Sequence, residues 1–328
     1  MATVGIIASP SAGKDVRRLV GHAGSTGDVD KIAVIRRAAL GIIESNVDRL
    51  LYLDDTRHLI QRALEGIPHG NVQVEAINQA VMGTGRDSEK AARALKKEGA
   101  GAVIVFGGDG TNRDVAKGWP DIPLLPLSVG TNNVFPFNVE ATVGGIAAGL
   151  VAKGIVPFDE VAEQAKVINV EYDNAETDLA LVDLVLVTGD FIGSRAIWDV
   201  SNLQEGIFAI AESATVGLSS IAATLEIIKR NENAAIHVIM GEGNTAVRAP
   251  IAPGTYETIP VKEYKRVNLE ERVTMKGPGV LAFDGERDRV LQEDETIVVS
   301  VSKEGPWVIN THRALDLANI KKHFISFT

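Results

Sequence analysis

The chain contains no cysteine, which removes disulfides, thiolate metal sites, thioredoxin-like redox chemistry and cysteine nucleophiles together. It is short of positive charge: 33 Lys and Arg against 43 Asp and Glu leave a net charge of −10 and a pI near 5.2. That balance argues against nucleic acid and against anionic membrane as partners, since both select basic surfaces. Histidine is scarce as well, 6 residues with no H-E-x-x-H or comparable spacing, so no zinc site is expected. No apolar run approaches the ~18 residues of a membrane span. The opening MATVGIIASP lacks both the basic start and the apolar length of a secretory signal, and a cytoplasmic protein is the expectation. What is present is enough apolar residue, 45% of 328, to fill two cores.

The rest is organised around Ala102 to Lys117, AVIVFGGDGTNRDVAK. Five apolar residues, Ala102 to Phe106, read as a short strand buried on both faces. The pattern then breaks at Gly107-Gly108-Asp109-Gly110-Thr111 and resumes as a helix from about Asn112. Glycines there let the backbone take positive φ and let backbone amides approach a ligand with no Cβ in the way. The helix start that follows adds unpaired N–H donors and partial positive charge, which suits a phosphate. Asp109 in such a turn can hold Mg²⁺ or take a proton from a hydroxyl, and Thr111 can cap the helix or donate to a phosphate oxygen. The alternative is a strand-to-helix turn in which Asp109 is only a cap.

Before this stretch, Val4 to Ala8 reads as a strand ending in Ser9-Pro10-Ser11-Ala12-Gly13-Lys14. It is not a P-loop, which needs a second upstream glycine and Ser or Thr after the lysine. It is either a second phosphate cradle, through Ser11, Gly13 and Lys14, or an ordinary βα turn. Helical spacing follows from Asp28, which is predicted to cap it, then a strand at Leu50 to Leu53, a helix at Arg57 to Leu64 and a strand at Val72 to Ile77. Gly83-Thr84-Gly85 has Ser88 where the third glycine of a dinucleotide fingerprint belongs, and Ser88 reads as the cap of the next helix. Leu124 to Leu127 forms another strand, ending in Ser128-Val129-Gly130-Thr131-Asn132-Asn133. Asn132 and Asn133 either hydrogen-bond a ligand at the strand's carboxyl end or satisfy turn geometry. An Ala- and Gly-rich helix, Val139 to Lys153, closes this half. Alternation of strand and helix means a parallel sheet with helices on both faces.

The character changes near Gly154 to Phe158. Beyond it, short runs such as Val167 to Tyr172, Leu179 to Val187, Ile236 to Met240, Ala246 to Ala249, Val280 to Phe283, Ile297 to Val301 and Trp307 to Ile309 read as strands. A helix at Leu218 to Arg230 interrupts them, and Thr311 is predicted to cap a helix to His323. The expected division is therefore residues 1–156, α/β and carrying the GGDGT turn, and residues 157–328, all-β and mainly antiparallel, with a terminal helix returning to the first. Asp183 lies inside the apolar run ALVDLVLV, on the wet face of an edge strand or deliberately placed, because an unpaired buried carboxylate is costly. Asp190 and Arg195 belong either to a salt-bridged surface loop or to the cleft. Asp284-Gly285 is a hairpin turn, on which Glu286 can still help bind a metal.

At GGDGT the sequence resembles the superfamily of NAD kinases, diacylglycerol and sphingosine kinases and 6-phosphofructokinases. The longer match, GGDGTNRDVAKGW followed by PLLPLSVGTNNVFPF, looks most like its acetoin-catabolism X branch, described as ATP-NAD kinase-like. The resemblance implies transfer of the ATP γ-phosphoryl to a hydroxyl, foremost the 2′-OH of the NAD adenosine ribose, with Mg²⁺ or Mn²⁺. It implies phosphate contacts at Gly107, Gly108 and Gly110, and Asp109 as base or metal anchor. Thr111, Asn132 and Asn133 would orient the nucleotide, and Glu286 would be an auxiliary acid, with Asp284 beside it at the metal. Ser9 stands where related lipid kinases open with asparagine in Asn-Pro-x-Ser-Gly. Val182-Asp183 keeps only the acid of the NAD kinase Asn-Glu or Asn-Asp pair, and Val134 replaces the lipid kinases' usual aspartate. The branch implies a homodimer or homotetramer acting on nucleotide substrates. A nucleotide-binding protein without turnover, and a kinase for a small diol or lipid, are the alternatives.

Overall fold

The computed structural model describes residues 1–13, 22, 24–130, 133–189 and 199–325. Its first half alternates as the spacing predicts: β1 (Thr3–Ala8), α1 (Asp28–Glu44), β2 (Arg49–Tyr52), α2 (Leu59–Leu64), β3 (Gln73–Ala76), α3 (Gly85–Lys97), β4 (Ala102–Phe106), α4 (Asp109–Gly118), β5 (Pro123–Leu127) and α5 (Ala141–Ala152). The strands are parallel, in the order β3-β2-β1-β4-β5. Both faces are covered, and the residues divide with period two. Val4, Ile6, Ala8, Ile104 and Phe106 pack against α1, α2 and α5; Ile7, Val103 and Val105 pack against α3 and α4. The order reverses between β1 and β4, which opens a crevice at their carboxyl ends, the usual ligand position in such sheets.

The chain continues through α6 (Phe158–Val161), β6 (Ala162–Gln164), β7 (Val167–Tyr172), β8 (Thr177–Ala180), β9 (Asp183–Val187), β10 (Leu203–Phe208), α7 (Ser219–Leu225), β11 (Ala234–Ala252), β12 (Thr255–Asn268), β13 (Val273–Lys276), β14 (Gly279–Phe283), β15 (Glu286–Leu291), β16 (Thr296–Ser302), β17 (Trp307–Ile309) and α8 (Thr311–Ile320). An antiparallel sheet β12-β11-β10-β9-β14-β15 stacks on a second, β13-β16-β7-β8, with Ile168, Leu184, Ile207, Leu281, Phe283 and Val299 among the residues between them. β17 pairs parallel to β5 and antiparallel to β6, so both join the first sheet, and Ala314 and Ala318 of α8 enter its core. An N-terminal, mostly parallel α/β sheet followed by antiparallel β sheets is the architecture expected from the sequence.

Several local expectations are corrected. The run Leu179 to Val187 is two strands in different sheets, because the chain bends at Leu181 and Val182, where a buried aspartate captures the amides. The helix expected to Arg230 ends at Leu225, since Ile228 forms both backbone hydrogen bonds of a bridge with Ala211. The runs at Ile236 and Ala246 belong to one long strand that bulges between Met240 and Thr245. Helix caps fall one to four residues ahead of the predicted ones, at Gly27, Thr84 and Asn310. At Thr84 the reason is Asp87, whose carboxylate accepts the amides of Met82, Gly83 and Thr84 and so starts the helix early.

Candidate functional site

Three loops meet where the sheet order reverses. Ser9 to Gly13 leaves β1, Gly107 to Asp109 leaves β4, and Ser128 to Gly130 leaves β5, with Asn133 beside it. The Ser9 amide donates to the Phe106 carbonyl at 2.9 Å, carrying the β1–β4 pairing one step beyond the strands. Gly13 has φ +73°, and a Cβ there would lie 3.1 Å from the Val129 carbonyl oxygen. Ser11 Oγ lies 3.1 Å from Ser9 Oγ. Beneath this loop Lys31, buried, donates from Nζ to the Pro10 carbonyl at 2.9 Å, and burial lowers its pKa.

The GGDGT segment is tighter than its sequence suggests. α4 begins at Asp109 rather than near Asn112, with Gly108 as an extended N-cap, so Asp109, Gly110 and Thr111 are the first helical turn. Thr111 is therefore inside the helix rather than its cap. Gly107, Gly108 and Gly110 do not adopt positive φ. Close approach is what requires glycine: a Cβ on Gly107 would fall 2.5 Å from Thr111 Cβ, and one on Gly108 would fall 2.7 Å from Asn133 Oδ1. The first turn thus presents backbone N–H groups to the crevice with little side chain in front of them.

Asp109 is already engaged. Its carboxylate accepts the Val134 amide at 3.1 Å to each oxygen and the Phe135 amide at 2.8 Å. Asn133 Nδ2 donates to Ser128 Oγ at 2.9 Å, and Ser128 Oγ donates to the Gly130 carbonyl at 3.0 Å. From the second half, the Arg230 guanidinium donates to the carbonyls of Val134 at 3.0 Å and Phe135 at 3.2 Å. It also pairs with Glu212 at 3.2 Å and lies 4.5 Å from the Phe137 ring centroid.

The opposite wall is the β14–β15 hairpin. Asp284 and Gly285 both have positive φ, +50° and +79°, and Phe283 pairs with Glu286, which is a two-residue type I′ turn. The buried Asp284 carboxylate accepts amides from Leu181 at 3.0 Å, Val182 at 2.8 Å and Asp183 at 3.3 Å. Burial raises its pKa, against the pull of Arg113 and those amides. Asp183, also buried, reciprocates by accepting the Gly285 amide at 3.2 Å. The two aspartates lock each other's backbone. Glu286 then projects onto the first turn of α4, exposed, with Oε1 3.7 Å from where a Gly110 Cβ would stand.

Arg113 rivets the halves behind this turn. It donates to Asp178 and to Asp288, each at 2.9 Å, and to the Leu179 carbonyl at 2.7 Å, with its guanidinium 4.1 Å from the Phe283 ring centroid. Lys117 adds a 2.7 Å bridge to Asp178. Asp114, one helical turn after Gly110, has no hydrogen-bond donor among the described residues. Burial raises its carboxyl pKa to about 6; Arg113 and Lys117 oppose the rise, and Glu286 and Glu89 add to it.

Geometry thus brings Ser11, Gly13, Gly107, Gly108, Asp109, Gly110, Thr111, Asn133 and Glu286 around one crevice, and places Asp284 in the turn of the hairpin that forms its far wall, with Asp183 at the start of β9 bonded to that turn. Lys14, Thr131, Asn132, Asp190 and Arg195 lie outside the described residues. Among the described residues no three His, Asp or Glu side chains are placed to share a metal ion. The expected metal trio Asp109, Asp284 and Glu286 therefore does not converge, since Asp284 turns inward to its amides. A magnesium ion held mainly by substrate phosphates needs only one or two carboxylates, and Glu286 beside Gly110 fits that role. Lys31, Arg113, Asp114 and Arg230 were not singled out from sequence. Only the burial pattern of a helix could have flagged Arg113, and Arg230 acts on residues 95 and 96 positions away.

Residues 44–155 match the ATP-NAD kinase N-terminal domain, and residues 166–304 match the acetoin catabolism protein X C-terminal domain. Acetoin catabolism protein X of Cupriavidus necator is 32% identical over 337 aligned residues, covering 98% of this chain and 91% of that protein. The chain belongs to the acetoin catabolism protein X family. Its fold is similar to that of yeast NADH kinase, solved in complex with NADH, with a TM-score of 0.54 at 12% identity over 100% of this chain and 89% of that one. The chain thus resembles ATP-NAD kinases in the sequence of residues 44–155 and an NADH kinase in fold. No helix among the described residues is long and apolar enough to cross a membrane.

Proposed function

We propose that this family member binds ATP and NAD in the crevice and transfers the ATP γ-phosphoryl group to the 2′-OH of the NAD adenosine ribose, giving NADP. The observation that carries the reading is the meeting of two motifs from opposite halves: Glu286 of the hairpin stands over Gly110 in the glycine-rich first turn of α4. In the reaction the acceptor oxygen forms a bond to the γ-phosphorus while the bond to the bridging β,γ oxygen breaks. ADP leaves, and the hydroxyl proton passes to a crevice carboxylate, Asp109 or Glu286. Such transfers depend on positioning and on neutralising charge. Amides at Gly108 to Gly110 cradle the phosphates, Ser11 and Gly13 close the cradle from β1, and Thr111 and Asn133 orient the nucleotide. Glu286 would help hold Mg²⁺ or Mn²⁺, which would supply neutralisation of the phosphate charge.

A second reading is favoured by the use the fold makes of its acids. Asp183 and Asp284 hold backbone amides, and Asp109 holds the Val134 and Phe135 amides. A nucleotide-binding protein without turnover fits that arrangement. NADP formation from NAD, ATP and Mg²⁺ separates the two, run with wild type, Asp109→Ala and Glu286→Gln. The kinase reading expects robust NADP in the wild type and a loss of about 100-fold or more in both variants. Binding of ATP or NAD by calorimetry with no NADP supports the second reading, and a screen of small diols then tests for another acceptor.

A further inference from the structure

The loop that gives its amides to Asp109 gives its carbonyls to Arg230. Val134 and Phe135 donate N–H to the first half and accept from the second, so these two peptide units are held from both sides. Arg230 is itself fixed: Glu212 accepts from its side chain and from its own amide, at 3.2 Å and 3.1 Å, and the Phe137 ring lies under the guanidinium. A planar guanidinium can reach two adjacent carbonyls and a carboxylate together, whereas a lysine ammonium offers one point charge. Upstream, the loop presents Asn133 Oδ1 at Gly108, so a displacement at Val134 is felt at the helix cap that opens GGDGT.

We propose that Arg230 is a positioning residue for the crevice. Reaching from the β-rich half, it sets the loop that orients Asp109 and Asn133 against the phosphate turn, without touching the reacting atoms. The inference rests on the nucleotide-site reading above for its effect on ligands, but not for its effect on the loop. It predicts that removing Arg230 loosens Val134 and Phe135 first and weakens nucleotide binding as a consequence.

The test uses the full chain as wild type, Arg230→Ala, Arg230→Lys and, as a control for losing a surface ion pair, Arg272→Ala, whose partner Glu171 lies elsewhere in the second half. Amide hydrogen exchange is followed on the peptide spanning Val134 to Phe137, and Mg-ATP binding by calorimetry. In Arg230→Ala, exchange at that peptide should accelerate about 10-fold and ATP affinity should fall by about the same factor. Arg230→Lys should lie between, and Arg272→Ala should match wild type. Unchanged exchange at Val134 to Phe137 in Arg230→Ala overturns the proposal. So does acceleration spread evenly over the molecule, which marks a general stability effect. If wild type binds neither ATP nor NAD, the nucleotide reading fails, while the exchange data still decide whether Arg230 positions the loop.

Discussion

Two turns in this molecule look alike on paper, each an aspartate beside glycine, and each aspartate accepts backbone amides from a segment distant in sequence. Asp109 holds Val134 and Phe135; Asp284 holds Leu181, Val182 and Asp183. They differ in where they stand. Asp109 opens a helix at the reversal point of a parallel sheet, partly exposed, with glycine amides around it. Asp284 sits at positive φ inside a hairpin, 7% exposed, and stitches the two antiparallel sheets together. The same carboxylate-to-amide device serves a ligand-facing loop in one place and the fold in the other. An acidic motif therefore carries functional weight only once its surroundings are known.

The largest expected effect separates the pair directly. Asp284→Ala strands buried amides and should cost about 5 kcal/mol of stability, enough to threaten folding, whereas Asp109→Ala should cost about 2 kcal/mol. Urea denaturation of both variants measures this, and equal losses would break the contrast. Arg113 lies behind both turns, and Arg113→Ala leaves Asp178 and Asp288 without its bridges. A loss of about 3 kcal/mol is expected, recovered in part if Asp178→Asn is added, which a double-mutant cycle would read. The smallest effect concerns Asp114. Its folded pKa of about 6 exceeds the ordinary 3.8, so the native state binds the proton more tightly than the unfolded chain. Stability attached to this group is intact below about pH 4, declines as pH rises to about 6, and stays lost above. Asp114→Asn should match wild type at pH 4 and be more stable by on the order of 2 kcal/mol at pH 7.5. A flat difference across that range would remove burial of Asp114 as the cause.

Much of the architecture was legible because it is written in local pattern. The all-apolar Ala102 to Phe106 run and the alternating strand and helix spacings require a parallel sheet covered on both faces, and the antiparallel second half follows from short runs and turns. What failed did so for non-local reasons. ALVDLVLV reads as one strand until Asp284, roughly a hundred residues on, bends it at Leu181 and Val182. The glycines of GGDGT do not use the positive φ open to them; they answer to Thr111 and Asn133, whose approach no periodicity encodes. The partners of Arg113, and the carbonyls that Arg230 holds, come from strands and loops 65 to 175 positions away, and pairings at such range leave no trace in a single sequence.

The first sheet borrows β17, and that has a bearing on how the chain assembles. β5 is finished at Leu127, yet the strand that covers its outer side begins about 180 residues later, at Trp307. During synthesis the α/β half therefore waits with an open edge and with the bed of α8 uncovered. On that side Pro126 has no N–H to donate and its carbonyl already accepts the Phe137 amide, so the waiting edge is a poor template for wrong partners. The closing of the sheet by Trp307–Ile309 then ties the completion of the older half to the arrival of the younger one.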